Sequence, residues 1–373
     1  MGCLSEAGAA VLRLCVVVGP ALLALLTVLY TGRPSPLYLA AGFVLAAIIL
    51  ACDAWIIARR HWVTGGIALI TQAAFVVFMG GYTASPFPAP SPISDPLPQG
   101  SPPPAGMAVC VLKTGVNHLT SAFAYRGGSP WNMWDSVLNA MLVRHPRGDV
   151  LIDTGLGRMI ASQFEQMPLV FRLATDMEPF TPAADQLDAA GYDRKHLRYI
   201  LLTHAHWDHV SGVPDFPGVP MLLTAAEHLF IPDGGFGTAT ACRIDPAVFK
   251  EYAFGGGPYL AFSQSHDLAG DGSIVIVPAP GHTPGSVVVF VTPPGGTRYA
   301  FVGDLVWELA GLIEREARPW LASTMVGKDP AAVQESMRRL SAIVARYPQI
   351  RIVPAHDGRG YAGMAECSRS TLP

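Results

Sequence analysis

The chain has 373 residues, of which 50% are hydrophobic and only 14% are charged, and its formal net charge is −3. This charge balance provides no basic surface for a nucleic-acid backbone, and the hydrophobic excess is typical of a protein that lies partly in lipid. Most of the excess falls in the first 83 residues.

Three apolar stretches in this N-terminal part have the ~20 residues that a helix needs to cross a bilayer. They are residues 14–31, 37–58 and 62–83, and Asp53 is their only charged residue. We therefore predict a membrane anchor of three transmembrane helices over residues 1–83. A cleaved signal peptide is the alternative for the first stretch.

Basic residues in the short loops predict the orientation of this anchor, because they favour the cytoplasmic side. Arg13 precedes the first stretch, and Arg59 and Arg60 lie between the second and the third, against a lone Arg33 between the first and the second. The N-terminus is thus predicted to be cytoplasmic. The C-terminal part is predicted to be extracytoplasmic, in a multi-pass membrane protein.

A proline- and serine-rich segment, residues 84–106, follows the anchor and is predicted to be an extended, semi-rigid linker. Residues 107–373 are then one soluble domain. Its cysteines, Cys110, Cys242 and Cys367, are odd in number and lack C-x-x-C spacing. The pattern therefore indicates neither a disulfide framework nor a thiolate zinc site.

Short β-rich runs recur along this domain, and most end in a polar cluster. They are residues 108–115, 149–155, 199–204, 273–282, 286–292, 299–304 and 350–357. Helical patterns lie between them at 183–192, 225–230 and 329–347, the last beginning at Asp329 and Pro330. This alternation predicts a layered α/β sandwich with its site along one edge. The glycine-rich, aperiodic residues 231–267 are predicted to be a lid or substrate wall, with a mobile surface loop as the alternative.

The densest group of metal-ligating residue types is T-H-A-H-W-D-H at residues 203–209. After a strand, residues two apart point the same way, so His204 and His206 can face one ion. Asp208 and His209 then face a neighbouring position, and imidazole with carboxylate suits Zn²⁺. Other strand ends supply further donors: His282, Asp304 and His356.

With this pattern of H-x-H-x-D-H, a lone His, an Asp after Gly and a final His, residues 107–360 resemble the metallo-β-lactamase-fold hydrolase superfamily. The resemblance implies a four-layer αββα sandwich and two metal ions, taken as Zn²⁺ with iron or manganese as alternatives. It assigns one ion to His204, His206 and His282 and the other to Asp208, His209 and His356, bridged by Asp304. It also implies that Asp153 of the D-T-G sequence does not bind metal but orients the ligands through hydrogen bonds.

The resemblance implies hydrolysis, because metal coordination lowers the pKa of water to ~7 and the resulting metal-bound hydroxide can attack a lactone, ester or thioester carbonyl. Asp208 is the candidate for passing a proton to the leaving group. Asp304 favours the branch that contains lactonases and glyoxalase II-like enzymes. A β-lactamase, a phosphodiesterase or nuclease, and a non-catalytic metal-binding sensor remain alternatives.

Residues 266–286 are most similar to N-acyl homoserine lactonases. Trp307 stands where those enzymes commonly have a tyrosine that contacts the substrate carbonyl, and Ser286 stands where glyoxalase II has histidine. We predict that Trp307 lines the substrate pocket, with a core aromatic as the alternative. The expected partners are a small, acyl-bearing substrate and the membrane, but no nucleic acid.

Overall fold

The computed structural model describes residues 81–93, 96–98 and 102–372. The predicted transmembrane helices lie outside these residues, except that 81–83 form a turn. In the described ranges no helix has the length and hydrophobicity to cross a membrane. The described residues fall into two compact units: a smaller one of residues 81–85, Thr120–Met133 and Arg318–Leu321, and a larger one that contains the others.

Two β-sheets form the scaffold of the larger unit. The strands in the described residues are β1 (Ala108–Thr120), β2 (Met133–Arg144), β3 (Asp149–Ile152), β4 (Met177–Pro179), β5 (Leu197–Leu201), β6 (Met221–Thr224), β7 (Phe249–Tyr252), β8 (His266–Asp267), β9 (Ile274–Pro278), β10 (Val287–Val291), β11 (Arg298–Gly303), β12 (Ile350–Pro354) and β13 (Ala365–Glu366). The first sheet has the order β13-β1-β2-β3-β5-β6-β7, with β4 paired to β1. The second has the order β12-β11-β10-β9-β8.

The helices connect these strands. They are α1 (Ser121–Ala124), α2 (Ile160–Phe164), α3 (Leu169–Ala174), α4 (Ala183–Ala189), α5 (Trp207–Val210), α6 (Ala225–Phe230), α7 (Leu309–Glu314), α8 (Trp320–Val326) and α9 (Pro330–Arg346). Helix α9 begins where the sequence predicts, because the Asp329 carboxylate accepts hydrogen bonds from the first free backbone N–H groups, those of Ala331 and Ala332.

Strand residues alternate between two apolar layers, as the period of two in a β-strand requires. In β10, Val287, Val289 and Val291 pack between the two sheets. Val288 and Phe290 point to the opposite face of the second sheet, where the buried face of α9 covers them. On the outer face of the first sheet, α4 packs in the same way. The layers are therefore helix, sheet, sheet and helix, which confirms the predicted αββα sandwich.

Residues 231–267 contain more regular structure than their sequence pattern indicates. Short 3₁₀ turns occupy the region from Ile231 to Val248. Strand β7 then pairs in parallel with β6 at the edge of the first sheet, and β8 extends the second sheet. The sequence does not reveal these strands, because edge strands need few apolar residues and so lack a clear period.

The described part of the 84–106 segment forms no helix or strand, as its proline content predicts. It is nevertheless packed against the larger unit. Phe87 is buried among Leu260 and Phe262, and its backbone N–H donates to the Arg315 carbonyl at 2.8 Å. Ile93 and Leu97 pack against the same core, so the described part of the predicted linker is packed on the domain that follows it.

Cys110 and Cys367 form a disulfide, with Cα atoms 5.0 Å apart. Strands β1 and β13 pair in parallel, with Cys110 opposite Ala365, and this pairing brings the two cysteines together. Cys242 remains free and exposed. An odd number of cysteines therefore does not exclude a disulfide, because one bonded pair and one free thiol give the same count as three free thiols.

Candidate metal centre

The seven predicted ligands follow strands of both sheets and converge at one site. His204 and His206 lie between β5 and α5, and Asp208 and His209 lie on the single turn of α5. His282 lies between β9 and β10, Asp304 follows β11 and His356 follows β12. The histidines and Asp304 are all buried, and the Asp208 side chain is 10% exposed.

Four of these side chains form the first donor group: His204, His206, His282 and Asp304. Nε2 of His204 lies 3.1 Å from Nδ1 of His206 and 3.1 Å from Nε2 of His282. Tetrahedral zinc with Zn–N bonds of ~2.0–2.1 Å places neighbouring ligand atoms about 3.3 Å apart. The spacing of the nitrogen atoms therefore fits a zinc ion without rearrangement of the loops.

The second donor group contains Asp208, His209 and His356. Nε2 of His356 lies 3.4 Å from Oδ2 of Asp208. Oδ1 of Asp304 lies 2.9 Å from this Nε2 atom and 3.1 Å from Nε2 of His209, whereas Oδ2 of Asp304 lies 3.3 Å from Nε2 of His282. The two carboxylate oxygens thus face different donor groups, as in a bridging ligand.

Hydrogen bonds on the far side of two imidazoles select the nitrogen that faces the centre. Nδ1 of His209 lies 2.8 Å from Oδ2 of Asp153, and Nδ1 of His356 lies 3.0 Å from the Val137 carbonyl. Asp153 also accepts hydrogen bonds from the Thr203 backbone and hydroxyl, both at 2.8 Å. Each contact leaves Nε2 free for a metal. Asp153 adopts φ 53°, a left-handed conformation that is uncommon outside glycine and is concentrated at functional sites.

Trp307, the predicted pocket residue, is buried against the centre. Its indole Nε1–H donates to Oδ2 of Asp304 at 2.8 Å, and its ring meets the His356 ring edge-on at 6.2 Å. The sequence does not reveal this contact. Trp307 follows Asp304 by three residues in an irregular segment, where spacing does not fix which side chains meet.

Burial and charge shift the pKa values of these groups. Burial, with the neighbouring His209 and His282, holds the pKa of His204 well below its usual value of 6.5. Burial also lowers the pKa of His209, but the carboxylates of Asp153, Asp208 and Asp304 outweigh it and raise the pKa well above that value. Burial raises the pKa of Asp208. Buried imidazoles and carboxylates at this density are typical of a cation-binding site, because buried charges are stable only when they are paired or coordinate a metal.

Glu227 is a residue of this site that sequence reasoning missed. It lies in the first turn of α6, and its backbone N–H donates to the hydroxyl of the N-cap residue Thr224 at 3.1 Å. The T-x-x-E spacing is a capping-box signature, in which the glutamate side chain normally returns to the cap. Here the carboxylate instead bonds two loops that carry metal ligands.

An aromatic cluster adjoins the ligands. The Trp207 ring lies 6.0 Å from Phe171, which lies 5.1 Å from Phe236. Next to Phe236, Gly237 approaches His206 so closely that a Cβ atom there would lie 2.9 Å from Cδ2 of the imidazole. The first part of the 231–267 segment therefore packs directly on a predicted ligand.

The fold and this donor set define a class of protein. The metallo-beta-lactamase superfamily matches residues 134–332, and the chain belongs to this superfamily. It is a metallo-hydrolase. A probable metallo-hydrolase of Mycobacterium bovis is 28% identical over 239 residues, covering 59% of this chain and 74% of that protein.

Lactonases are among the similar proteins. N-acyl homoserine lactonase AttM of Agrobacterium fabrum is 25% identical over 229 residues, covering 59% of this chain and 82% of the lactonase. A solved N-acyl homoserine lactone hydrolase, with N-hexanoyl-L-homoserine bound at its catalytic metal centre, has a TM-score of 0.57 and 17% identity. The aligned region covers 72% of this chain and 98% of the solved chain, and this similarity shows that the two share a fold.

Proposed function

We propose that this metallo-hydrolase is a dinuclear zinc enzyme that hydrolyses a lactone, ester or thioester at its carbonyl carbon. The observation that carries the proposal is the position of Asp304, whose two oxygens face two separate donor groups. A carboxylate in that position can share its charge between two cations.

The donor groups assign the residues of each metal position. We assign His204, His206 and His282 to the first position and Asp208, His209 and His356 to the second, with Asp304 between them. Two cations bound by these residues would supply a water of lowered pKa, about 7, and would stabilise negative charge on a carbonyl oxygen. Asp208 is the most exposed of these ligands, and we assign to it the transfer of a proton to the leaving oxygen.

The proposed substrate is an acyl-bearing lactone. The aromatic cluster beside His206 supports this choice, and on α3 the side chains of Leu169 and Leu173 are 60% and 79% exposed near Phe171 in the chain. Apolar surface of this kind suits an alkyl chain. The lactonases among the similar proteins point to the same class of substrate.

The test is metal analysis of the full chain, followed by turnover of lactone, thioester, β-lactam and phosphodiester substrates. We expect two zinc ions per chain and turnover of acyl lactones that Asp304→Asn abolishes. Asp267→Asn is the matched control, because Asp267 accepts hydrogen bonds from Gly270 and Gly272 in an exposed turn. One metal or none per chain, or activity that survives Asp304→Asn, would overturn the dinuclear mechanism. Preferred cleavage of small hydrophilic esters would overturn the acyl specificity.

We further propose that residues 1–83 anchor the enzyme in a membrane, with the catalytic domain outside the cytoplasm. The three apolar stretches support this, and so does the Cys110–Cys367 disulfide, because such bonds persist in oxidising compartments. The smaller unit adds support, because the 56% exposed Trp320 donates its backbone N–H to Gly81, at the end of the third stretch. Exposed tryptophan is enriched where a protein meets the membrane interface.

Whole-cell labelling with a membrane-impermeant maleimide tests this placement, because Cys242 is free and exposed. We expect labelling of intact cells that Cys242→Ser removes, and membrane pelleting of the full chain. Labelling of Cys242 only after lysis would refute the extracytoplasmic placement. A chain that stays in the soluble fraction would refute the anchor.

A further inference from the structure

We propose that Glu227 is a positioning residue that fixes the two ligand loops of the first metal position relative to each other and thereby sets its metal affinity. One loop carries His204 and His206, and the other carries His282. This inference rests on the two-metal centre proposed above.

The Glu227 carboxylate contacts both loops directly. Oε1 accepts the backbone N–H of Ala205, between His204 and His206, at 2.7 Å. Oε2 accepts the Thr283 hydroxyl at 2.6 Å and the Gly285 N–H at 2.9 Å, both just after His282. Three hydrogen bonds to one carboxylate thus link the two chain segments that supply the first position.

The surroundings leave little room for this link to move. Glu227 is 1% exposed. A Cβ atom on Gly285 would lie 2.3 Å from the Glu227 nitrogen and 2.3 Å from the Thr224 hydroxyl, so only glycine fits. The Ser286 hydroxyl lies 2.7 Å from that of Thr283 and accepts the Thr283 N–H at 3.0 Å. The Glu227 carboxylate is therefore held by a closed network of short hydrogen bonds.

A buried carboxylate without a cationic partner is unfavourable unless hydrogen bonds replace its hydration. In the described part of the chain no lysine or arginine forms an ion pair with Glu227, and its three donors all come from the ligand loops. Helix capping alone does not require this arrangement, because Thr224 caps α6 with its own hydroxyl. The arrangement is instead suited to holding His204, His206 and His282 at the spacing that zinc requires.

The second metal position has different supports. His209 is held by Asp153 and His356 by the Val137 carbonyl. None of the Glu227 hydrogen bonds reaches these residues. Loss of the Glu227 carboxylate should therefore weaken the first position selectively, whereas a general loss of packing would affect both.

The experiment measures zinc affinity by competition with a chromogenic chelator in two single-position backgrounds of the full chain. His356→Ala leaves the first donor group intact, and His206→Ala leaves the second. Glu227→Gln keeps the side-chain volume but places an NH₂ group against hydrogen-bond donors. We expect it to weaken zinc binding about 10- to 100-fold in the His356→Ala background, the usual effect of losing a residue that supports ligands. In the His206→Ala background we expect no change.

Asp149→Asn is the matched control. Asp149 is likewise buried and accepts a backbone N–H, from His145, and a hydroxyl, from Tyr192, and it differs in having Arg144 at 3.7 Å. None of these partners lies on a ligand loop. It should lower thermal stability without changing zinc affinity. If Glu227→Gln does not fold, Thr283→Val removes one of the three hydrogen bonds with little change in volume and should show the same selectivity to a smaller degree.

Unchanged zinc affinity, or equal loss in both backgrounds, would overturn the role of Glu227 while leaving the proposed function intact. A wild-type chain that binds no zinc would overturn both.

Discussion

The Cys110–Cys367 disulfide allows a quantitative prediction, because it closes a loop of 257 residues. In the chain-entropy model, such a cross-link lowers the entropy of the unfolded chain by 2.1 + 1.5R ln n, about 19 cal/mol/K here, or about 5–6 kcal/mol at room temperature. Measured effects rarely exceed ~5 kcal/mol, so we expect reduction to cost about 2–5 kcal/mol. For a domain of this size, in which 1 kcal/mol corresponds to about 2 °C, that lowers the Tm by about 4–10 °C.

Thermal unfolding of the full chain, with and without a thiol reductant, measures this effect. The reductant should lower the Tm of the wild type, and Cys110→Ser should show the lower Tm in both conditions. Cys242→Ser is the control and should respond to reductant as the wild type does, because Cys242 is free. If the reductant leaves the wild-type Tm unchanged while labelling shows that the bond has broken, the entropy argument is wrong.

Three further predictions follow from single contacts. Asp153→Asn retains a residue type that tolerates φ 53° but replaces the carboxylate that orients His209, so chelator competition should show zinc bound about 10- to 100-fold more weakly at the second position. Trp307→Phe removes the N–H that donates to Asp304. We expect denaturant unfolding to show a loss of about 1.5–3 kcal/mol in the free energy of unfolding. Trp307→Tyr should recover part of this loss only if its hydroxyl reaches the Asp304 carboxylate. Burial and the hydrogen bond to Asp149 raise the pKa of Tyr192 above its usual 10.0. The contribution of Tyr192 to stability is therefore complete below about pH 10 and is lost as the pH rises further. In unfolding curves measured at alkaline pH, Tyr192→Phe should abolish this pH dependence.

Local pattern was sufficient for the parts of the fold that are buried on both sides. The run VVVFV forms β10, in which all five residues are buried. A continuous run of this kind predicts a strand that has an apolar layer on each face. The start of α9 was predictable from Asp329 and Pro330 alone. The grouping of the candidate donors has a related cause, since β9, β11 and β12 run in the same direction and the residues that follow them emerge at one edge of the second sheet.

Features that depend on distant partners were not predictable from the sequence. Strand β2 begins with Met133, Trp134 and Asp135, which have no regular alternation, and it takes its place from pairing with β3. The pairing of Cys110 with Cys367 requires that β13 return to β1 across most of the domain. The Glu227 sequence pattern predicts a helix cap correctly, but the targets of its carboxylate lie 22 and 56 residues away in the chain.

The candidate site lies between loops that follow strands of the two sheets. In the first donor group, His204 and His206 follow a strand of the first sheet, whereas His282 lies between strands of the second. Glu227 joins the same two chain segments through Ala205 on one side and Thr283 on the other. A cation at this position and the Glu227 carboxylate would therefore oppose the same motion, separation of the two loops. Because the carboxylate already limits that motion before metal binds, less ordering would be left for the metal to impose, which is the physical reason for the metal affinity proposed to depend on Glu227.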